Sequence, residues 1–339
     1  MRIAQLSPLV TAVPPPVAGG TERVVHDLAR GLARRGHELT LFASSGSASP
    51  GRLVDMGPAQ ADDPGSPRSL LQVREAIMLD RVAAMADEFD VVHCHTEFFH
   101  AALLRHLGPK LVATVHWRAD QADRQALFAH FPELPVIALS GVQAASIPES
   151  NLLGVVPHGI DAARYALDER PGDHCAFLGR MTDQKRPDRA ISIARRAGVE
   201  LLLGGDRDLG NPTYFDREVR PRLSGAARYV GPVAEPDKQR FLGSARALLF
   251  PIDWPEPFGL VMIEAMACGT PVVAWRRGSA EDVIDDGVTG FVVDDERDAA
   301  LALREAAGLD RRRVRERFEE RFTSERMAAD HEALYRRLA

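Results

Sequence analysis

The sequence predicts an α/β protein built from two doubly wound domains, and three observations support this. Short β-branched strands alternate with helical patterns, which is typical of parallel sheets crossed by helices. The alternation stops in a polar stretch and then starts again. The chain has 339 residues, beyond the length at which one hydrophobic core usually keeps growing. We therefore expect residues 1–165 and 166–322 to form two domains, with residues 323–339 as a helix that crosses back to the first.

The first series of strands begins at the N-terminus. The predicted strands are RIAQLS, ELTLFAS, DVVHCH, KLVATVH, PVIALS and LLGVVPHG, with a short strand at residues 52–55. Between the first two, GTERVVHDLARGLARRGH spaces its apolar residues as one face of a helix. These apolar residues are Val24, Val25, Leu28 and Leu32. Residues 44–68 are rich in Gly, Pro, Ser and Asp and are otherwise predicted as loop.

The second series follows a polar linker, HGIDAARYALDERPGD. Its predicted strands are HCAFLG, VELLLGG, ARYVG, ARALLFP, TPVVAW and TGFVV. Two such domains place a cleft between them, with the carboxyl ends of the strands facing it, where sheets of this kind bind ligands. The Arg- and Glu-rich tail from Asp310 predicts solvated helix faces with many ion pairs rather than a membrane-binding surface.

Composition excludes several classes of function. A net charge of −6 with 45% hydrophobic residues gives no electrostatic footprint for nucleic acid. Neither a signal peptide nor a run of eighteen apolar residues is present, so membrane association is not expected. The three cysteines, Cys94, Cys175 and Cys268, lie far apart and indicate a reducing compartment. We expect a cytoplasmic protein, and the oligomeric state is left open.

The stretch WPEPFGLVMIEAMACGTPVVA contains two glutamates in different settings. Pro257 disfavours helical geometry at Glu256. The helix is therefore predicted to begin near Phe258 or Gly259 and to stop at Gly269. Glu256 precedes this helix and lies next to its N-terminus.

Glu264 lies inside the same predicted helix, which is apolar nearly all round and therefore expected to be buried. A buried carboxylate is costly unless something donates hydrogen bonds to it. One interpretation is an internal partner, such as a backbone amide or an arginine. The other is a polyhydroxylated ligand whose hydroxyls donate to both carboxylates.

A pair of cations follows the first strand of the second series. FLGRMTDQKRP places Gly179 and Arg180 at the end of a strand, and Lys185 in the loop before a helix that starts near Pro187. A forked donor and a point charge together suit a diphosphate. Only three of the 42 basic residues are lysines, which makes any lysine unusual in this chain.

Two predicted helices begin next to a glycine, and the free backbone amides at their N-termini could bind an anion. Gly19 and Gly20 stand directly before a helix in the first domain. The start of the PFGLV helix offers the same kind of site in the second domain. A glycine pair before a helix is equally an ordinary loop.

Together these pieces resemble the family 4 retaining glycosyltransferases with the GT-B fold. Glu256 and Glu264, separated by seven residues, look like the signature of that family. The resemblance covers most of the chain, through the Gly-Gly loop with Glu22, TVH, VPHGID, FLGR with Lys185, LLLGGD and YVGPV. These pieces occur in the order and spacing of the family.

The resemblance implies roles for the charged residues. Arg180 and Lys185 would grip the donor diphosphate, and Glu264 would receive the ribose hydroxyls. Glu256 would hold the transferred sugar, and His116, which ends LVATVH, would face that sugar near the reaction centre. Arg180, Lys185, Glu256 and His116 are therefore the expected catalytic residues.

The resemblance also implies a set of backbone contacts to the donor. Gly19 and Gly20 would close on the diphosphate from the first domain. The amides of Phe258, Gly259 and Leu260 would hold the sugar and the distal phosphate. The groups expected beside the nucleotide are Gly205 in the donor-domain loop and Gly231 to Val233, whose backbone would edge the base.

Two positions depart from the pattern of the family. His158 stands where the family commonly has Asn, and Arg186 replaces a common Gly. The first domain is short, so the acceptor cannot be inferred from the resemblance.

Two segments suggest a metal instead. Asp206 and Asp208 form a carboxylate pair that, in a different transferase fold, holds a divalent cation beneath a nucleotide sugar. The two-domain pattern argues against that fold. His93 and His95, with His100 beyond them, are candidates for zinc ligands of a hydrolase, although no complete ligand set appears. Residues that line the cleft near an acceptor are the favoured interpretation of these histidines.

The main hypothesis is a retaining glycosyltransferase that uses a nucleotide diphosphate sugar, such as a UDP-sugar, and needs no metal or other cofactor. Its partners would be that donor and a small-molecule or glycan acceptor, and not nucleic acid. A sugar-nucleotide epimerase of the same fold and a non-catalytic nucleotide-sugar sensor are the alternatives. The Arg- and Ala-rich composition is typical of actinobacteria and points to an acceptor among secondary metabolites, including antibiotics.

Overall fold

The chain folds into alternating strands and helices throughout. A computed structural model describes residues 1–16, 19–63, 65–208 and 210–338, with Arg68 described by its backbone only. Parts of the predicted glycine loop and of the Asp206 loop lie outside these residues. No helix in the described ranges is both long enough and apolar enough to cross a membrane.

All the predicted strands form, including the short one at residues 52–55. In chain order they are β1 Arg2–Leu6, β2 Glu38–Ala43, β3 Arg52–Asp55, β4 Val91–Cys94, β5 Leu111–Thr114, β6 Val136–Ala138, β7 Leu152–Val155, β8 His174–Leu178, β9 Glu200–Gly204, β10 Ala227–Gly231, β11 Leu248–Phe250, β12 Val272–Trp275 and β13 Gly290–Val293. Their near-continuous apolar sequences are typical of parallel strands covered on both faces.

Helices connect nearly all these strands. In chain order they are α1 Gly20–Arg34, α2 Arg68–Ala84, α3 Phe99–Leu103, α4 Ala122–His130, α5 Gly141–Ala144, α6 Pro187–Ala197, α7 Pro212–Tyr214, α8 Glu235–Gly243, α9 Leu260–Ala267, α10 Ala280–Val283, α11 Glu296–Glu305, α12 Arg311–Arg321 and α13 Ser324–Tyr335. Helix α9 begins at Leu260 rather than at Phe258 or Gly259, because Gly259 adopts a left-handed conformation (φ 83°) as its N-cap.

Within the described residues the strands form two parallel sheets. The first has seven strands in the order β3-β2-β1-β4-β5-β6-β7, and the second has six in the order β10-β9-β8-β11-β12-β13. In each sheet the strand order reverses beside the first strand, which is the point where doubly wound sheets bind ligands. The predicted fold class, two Rossmann-like domains, is confirmed.

The chain divides into two units. The first unit comprises residues 1–160 and 323–339, and the second comprises residues 161–322. The division falls at Ile160, five residues before the expected boundary at residue 165. Ile160 remains with the first unit because it forms a parallel bridge with Thr323, the residue before α13.

Helix α13 packs against α1 inside the first unit. A Cβ added at Gly31 would lie 2.7 Å from Cβ of Ala328, so the two helices approach closely at this glycine. The side chain of Arg35 donates to Glu332 at 2.5 Å. The last helix is therefore part of the first domain although its sequence follows the second.

The basic tail is less uniformly solvated than its sequence predicts. Ion pairs along the helices, such as Arg315–Glu319 and Arg326–Asp330, match the expectation. Arg311, in contrast, is 6% exposed and donates to the carbonyls of Gly243 and Ala245 and to the hydroxyl of Thr270. This arginine joins the start of α12 to the loops that follow α8 and α9.

Candidate active site

Four glycines bring the carboxyl ends of neighbouring strands together in the second unit. The N–H of Gly179 donates to Gly204 (3.0 Å), and the N–H of Gly205 donates to Gly231 (2.9 Å). Gly205 has φ 134°, and a Cβ there would lie 1.9 Å from the carbonyl oxygen of Gly179. The hydroxyl of Tyr229 donates to the carbonyl of Gly205 at 2.8 Å. Only glycine allows the backbones to approach this closely.

Val233 closes the same edge of the sheet. A Cβ added at Gly204 would lie 2.5 Å from Cγ2 of Val233, so the two residues are in direct contact. The structure therefore groups Gly205, Gly231 and Val233, which the sequence predicts beside the nucleotide, at the ends of β9 and β10.

Lys185 and Glu256 form an ion pair at the centre of the candidate site. The ammonium group contacts Oε2 of Glu256, and the indole N–H of Trp254 donates to the same oxygen at 2.8 Å. The two charged side chains are only 17% and 14% exposed. The Lys185 Nζ also lies 5.3 Å from the centroid of the Trp254 ring and 5.7 Å from that of Phe250. The sequence distance between the partners gave no sign of this contact.

Arg180 behaves differently from Lys185. Its side chain is 55% exposed, and Nη1 lies 3.4 Å from Oδ1 of Asp208. The neighbouring Arg207 packs over the Phe215 ring at 4.2 Å. In the described structure the cation that faces Asp208 is therefore Arg180 itself. At 3.4 Å this pairing is weak, and the guanidinium at the end of β8 stays exposed.

The N-terminus of α9 is shaped by Gly259 and Phe258. Phe258 is buried, and its carbonyl accepts a hydrogen bond from the Ser279 hydroxyl at 2.5 Å. A Cβ on Gly259 would lie 3.5 Å from Cγ of Glu256. Glu256 and the start of the helix at Leu260 therefore lie side by side, as the sequence predicts.

Glu264 has an internal partner, Lys238 of α8. The carboxylate is 5% exposed, and its Oε1 lies 2.8 Å from Nζ of Lys238. The same ammonium lies 3.0 Å from Glu235. Burial alone would lower the pKa of Lys238, but Glu264 and Glu235 outweigh it and raise that pKa. Sequence reasoning missed Lys238, although the rarity of lysine in this chain was a signal that could have found it.

In the first unit, Gly19 and Gly20 stand at the start of α1, as expected. Gly19 is the N-cap, and a Cβ there would lie 2.7 Å from the side chain of Pro15. Glu22 in the first helical turn is buried, and burial raises the pKa of its carboxyl group, although the backbone amides of Glu22 and Thr11 donate to it.

His116 lies in a group of buried histidines in the first unit. Its Nε2 lies 2.9 Å from Nδ1 of His95, and its ring stacks on His158 with centroids 5.2 Å apart and planes 21° apart. Burial lowers the pKa of His116 to about 3 and holds the pKa of His95 well below its ordinary value. Both rings are therefore neutral near pH 7.

The zinc alternative finds no support in this group. Both ring nitrogens of His93 are already engaged, Nδ1 with the Tyr335 hydroxyl and Nε2 with the Thr114 hydroxyl, each at 2.7 Å. His100 pairs with Thr96 at 3.3 Å. Among the residues that the structure describes, no three His, Cys, Asp or Glu side chains are arranged to hold a metal ion.

Two family descriptions together match most of the chain. Residues 172–307 match the family described as Glycosyl transferases group 1, and residues 18–164 match the family described as Glycosyltransferase Family 4. The first match covers the sheet that carries Lys185 and the two glutamates. The second covers strands β2 to β7 of the other sheet, including β5, which precedes His116.

Individual relatives are similar to this chain over more than four fifths of its length. The phosphatidyl-myo-inositol mannosyltransferase of Mycolicibacterium smegmatis is 30% identical over 335 residues, covering 89% of this chain and 84% of the relative. The D-inositol 3-phosphate glycosyltransferase of Pseudarthrobacter chlorophenolicus is 28% identical over 334 residues, covering 82% and 79%.

Solved structures share the fold. AviGT4, a glycosyltransferase involved in avilamycin A biosynthesis, superposes with a TM-score of 0.77 at 24% identity, covering 100% of this chain and 98% of that one. Anabaena Alr3699/HepE, solved in complex with UDP-glucose, gives a TM-score of 0.72 at 19% identity, covering 98% and 99%. At these identities the likeness concerns the fold.

Proposed function

The chain belongs to the group 1 and family 4 glycosyltransferases, and we propose that it transfers a sugar from a UDP-sugar to an acceptor hydroxyl with retention of configuration. The observation that carries this proposal is the ion pair of Lys185 and Glu256 beside the N-terminus of α9. In this pair Lys185 supplies a cation for a diphosphate, and Glu256, in contact with it, supplies a carboxylate for sugar hydroxyls.

The proposed chemistry depends on the leaving group. A nucleotide diphosphate leaves readily once its developing charge is met by fixed cations and helix-end dipoles. Lys185 would exchange part of its contact with Glu256 for a contact with the distal phosphate. The guanidinium of Arg180 is exposed, so it could turn towards the diphosphate without disturbing the packing around it. These groups belong to the protein itself, which supports a reaction that needs no metal.

The nucleoside would lie along the ends of β9 and β10. Glu264 would accept the ribose hydroxyls while Lys238 holds the carboxylate in place. The close-packed backbone at Gly205 and Gly231, with Val233, would border the base. UDP is the nucleotide we propose, because HepE, which shares the fold, was solved with UDP-glucose.

In this proposal retention follows from the face on which the acceptor attacks, so the mechanism needs no dedicated protein nucleophile. The acceptor hydroxyl would enter on the face that the diphosphate leaves, through an oxocarbenium-like state. We propose a small-molecule or glycan acceptor. The names of the two relatives make inositol-based acceptors the first candidates to assay. An acceptor among antibiotics, as the composition suggests, stays a prediction.

The epimerase alternative has no support from the relatives named above, which are transferases. An epimerase would change a UDP-sugar without any acceptor, whereas a transferase would release UDP only when an acceptor is present or when water replaces it.

The test is a calorimetric titration of UDP, GDP, ADP and TDP in EDTA. We expect UDP to bind without metal, and Arg180→Ala to weaken that binding by about tenfold or more through the loss of a charge-assisted contact. Arg196→Ala, at an exposed arginine on α6 of the same unit, is the control and should bind as wild type. If none of the four nucleotides binds, the proposed donor site is wrong.

Retention has its own measurement. With an α-configured UDP-sugar, the anomeric proton of the product, followed by NMR, should show an α linkage. A β linkage in the first product formed would contradict the retaining mechanism.

A further inference from the structure

Five imidazoles, four of them buried, form a continuous row in the first unit, next to the carboxyl ends of β4 and β5. In order along the row they are His158, His116, His95, His93 and His331. Successive ring centroids are 4.1 to 5.4 Å apart. The row joins His158 and the partly exposed His116 at one end to His331 of helix α13 at the other.

The α13 end of the row is fixed by hydrogen bonds. His331 Nδ1 lies 2.8 Å from the carbonyl oxygen of Met327, which can only accept, so this nitrogen carries the proton. His93 lies between the hydroxyls of Tyr335 and Thr114. A neutral imidazole has one donor and one acceptor, so it pairs with one hydroxyl as donor and with the other as acceptor. His93 therefore has a fixed orientation, and its ring lies 4.1 Å from that of His95.

The bond between His95 and His116 contains a single proton. Their nitrogens are 2.9 Å apart, and both rings are neutral because burial disfavours the charged form. The groups that act electrostatically on His95 include the imidazoles of His93, His116 and His331, each of which lowers its pKa further. One ring must donate and the other must accept.

The surroundings of His95 indicate which ring donates. Its second nitrogen, Nε2, is buried and has no hydrogen-bond partner among the described residues. If His95 carried its proton on Nε2, a buried N–H donor would be left unpaired. With the proton on Nδ1, only a lone pair is left unpaired, and unpaired buried donors are the rarer defect in folded proteins.

We propose that His95 is a positioning residue, which donates its Nδ1–H to Nε2 of His116 and so fixes the proton of His116 on Nδ1. His116 then offers an N–H donor, and not a lone pair, to the ligand. This inference rests on the proposed function, in which His116 faces the transferred sugar. It assigns His116 to holding a sugar hydroxyl by donation and excludes it as a general base, because its only basic nitrogen is already occupied.

The proton position is measured directly by NMR. In protein labelled with ¹⁵N-histidine, two-bond nitrogen–proton correlations distinguish the two neutral tautomers, and a His116→Asn variant assigns the signals. We expect His116 in the wild type to carry its proton on Nδ1. A wild-type His116 with its proton on Nε2 would overturn the proposal without any measurement of activity.

Two substitutions of His95 separate positioning from packing. His95→Asn places an amide N–H where Nδ1–H was, so the His116 tautomer and turnover should stay close to wild type. His95→Leu fills the space without a donor, so His116 should populate both tautomers and kcat should fall on the order of tenfold or more. His100→Asn, at another buried histidine, whose Nδ1 pairs with the Thr96 hydroxyl, controls for the loss of a buried ring.

The outcomes separate this inference from the donor-site proposal. UDP affinity, measured by calorimetry, should be the same in His95→Leu and wild type, because His95 lies in the first unit, whereas Arg180, Lys185 and Glu264 lie in the second. If UDP binds but His95→Leu keeps both the Nδ1 tautomer and full turnover, only the role of His95 is wrong. If His95→Leu does not fold, the wild-type and His95→Asn spectra still decide the proton position.

Discussion

Lys238 Nζ lies 2.8 Å from Oε1 of Glu264 and 3.0 Å from Oε2 of Glu235. The second unit thus contains two lysines, and each pairs with one of the two glutamates of the signature, Lys185 with Glu256 and Lys238 with Glu264. A carboxylate that already has a charged partner is held in one orientation before a ligand arrives, which reduces the cost of ordering it on binding.

Removal of the Lys238 ammonium should therefore weaken nucleotide binding. Lys238→Met leaves the carboxylates of Glu264 and Glu235 without their shared cation, in a partly buried place where an uncompensated charge is costly. We expect UDP affinity to fall by roughly tenfold and the free energy of unfolding to fall by about 2 kcal/mol. Lys238→Arg should recover part of both.

The remaining lysine of the chain provides the control for this experiment. Lys110 lies in the first unit, and Lys110→Met should leave UDP affinity and unfolding unchanged, as measured by calorimetry and thermal denaturation. Equal UDP affinity of Lys238→Met and Lys110→Met would show that Lys238 does not position Glu264 for the ligand.

Substitutions at the other ion pair should affect turnover more than folding. Lys185→Ala and Glu256→Gln each remove a contact that is worth a few kcal/mol in the transition state, so kcat should fall by roughly 100-fold or more. The double variant should lose less than the product of the two single effects, because the residues contact each other. Wild-type turnover in both single variants, measured against Arg196→Ala, would show that the site is elsewhere.

Gly205→Ala should destabilise the second unit. The new Cβ would lie 1.9 Å from the carbonyl oxygen of Gly179, in a backbone conformation (φ 134°) that residues with a side chain rarely adopt. We expect a clear drop in the melting temperature of this variant. Gly225→Ala, where a Cβ meets nothing within 4 Å, should melt like wild type. Equal melting temperatures for the two variants would contradict the packing role of Gly205.

Acid should unfold this protein through its buried histidines. Six of them have pKa values that burial lowers from the ordinary 6.5, to about 4 for His100 and His331 and about 3 for His116. The other three, His93, His95 and His158, lie well below 6.5 for the same reason. Stability is fully present above pH 6.5, where the unfolded histidines are neutral as well. It is lost as the pH falls below 6.5, because only the unfolded state binds the protons.

The size of this effect is measurable as proton uptake. Each such histidine lowers the free energy of unfolding by ~1.4 kcal/mol per pH unit once its unfolded form is protonated. Glu75 offsets the effect of one such histidine. Burial raises the pKa of its carboxyl group to about 7, so between pH 4.5 and 7 the folded state binds a proton that the unfolded state does not. Urea denaturation between pH 8 and 5 should show a steep loss below pH 6.5. His100→Asn should reduce the slope, whereas His106→Asn, at an exposed histidine, is the control. A free energy of unfolding that is constant from pH 6.5 to 5 would contradict the prediction.

Much of the fold could be predicted because it depends on local patterns. Every predicted strand is present, since parallel strands covered on both sides must be apolar over their whole length, and that signal is contained in three to six consecutive residues. The position of Glu264 in an apolar helix could also be predicted from the sequence, because the neighbours of a residue within a helix are the residues next to it along the chain.

What the sequence determined by itself is therefore the two sheets, the order of their strands along the chain and the family motifs at their ends. Only the tertiary structure decided the partners: Lys238 for Glu264, Lys185 for Glu256, and His95 for His116. It also decided that α13 returns to the first unit and that Tyr335 reaches His93. The physical reason is that a buried charge or imidazole is satisfied by whichever polar group the packed elements bring within about 3 Å, and elements far apart in sequence supply that group.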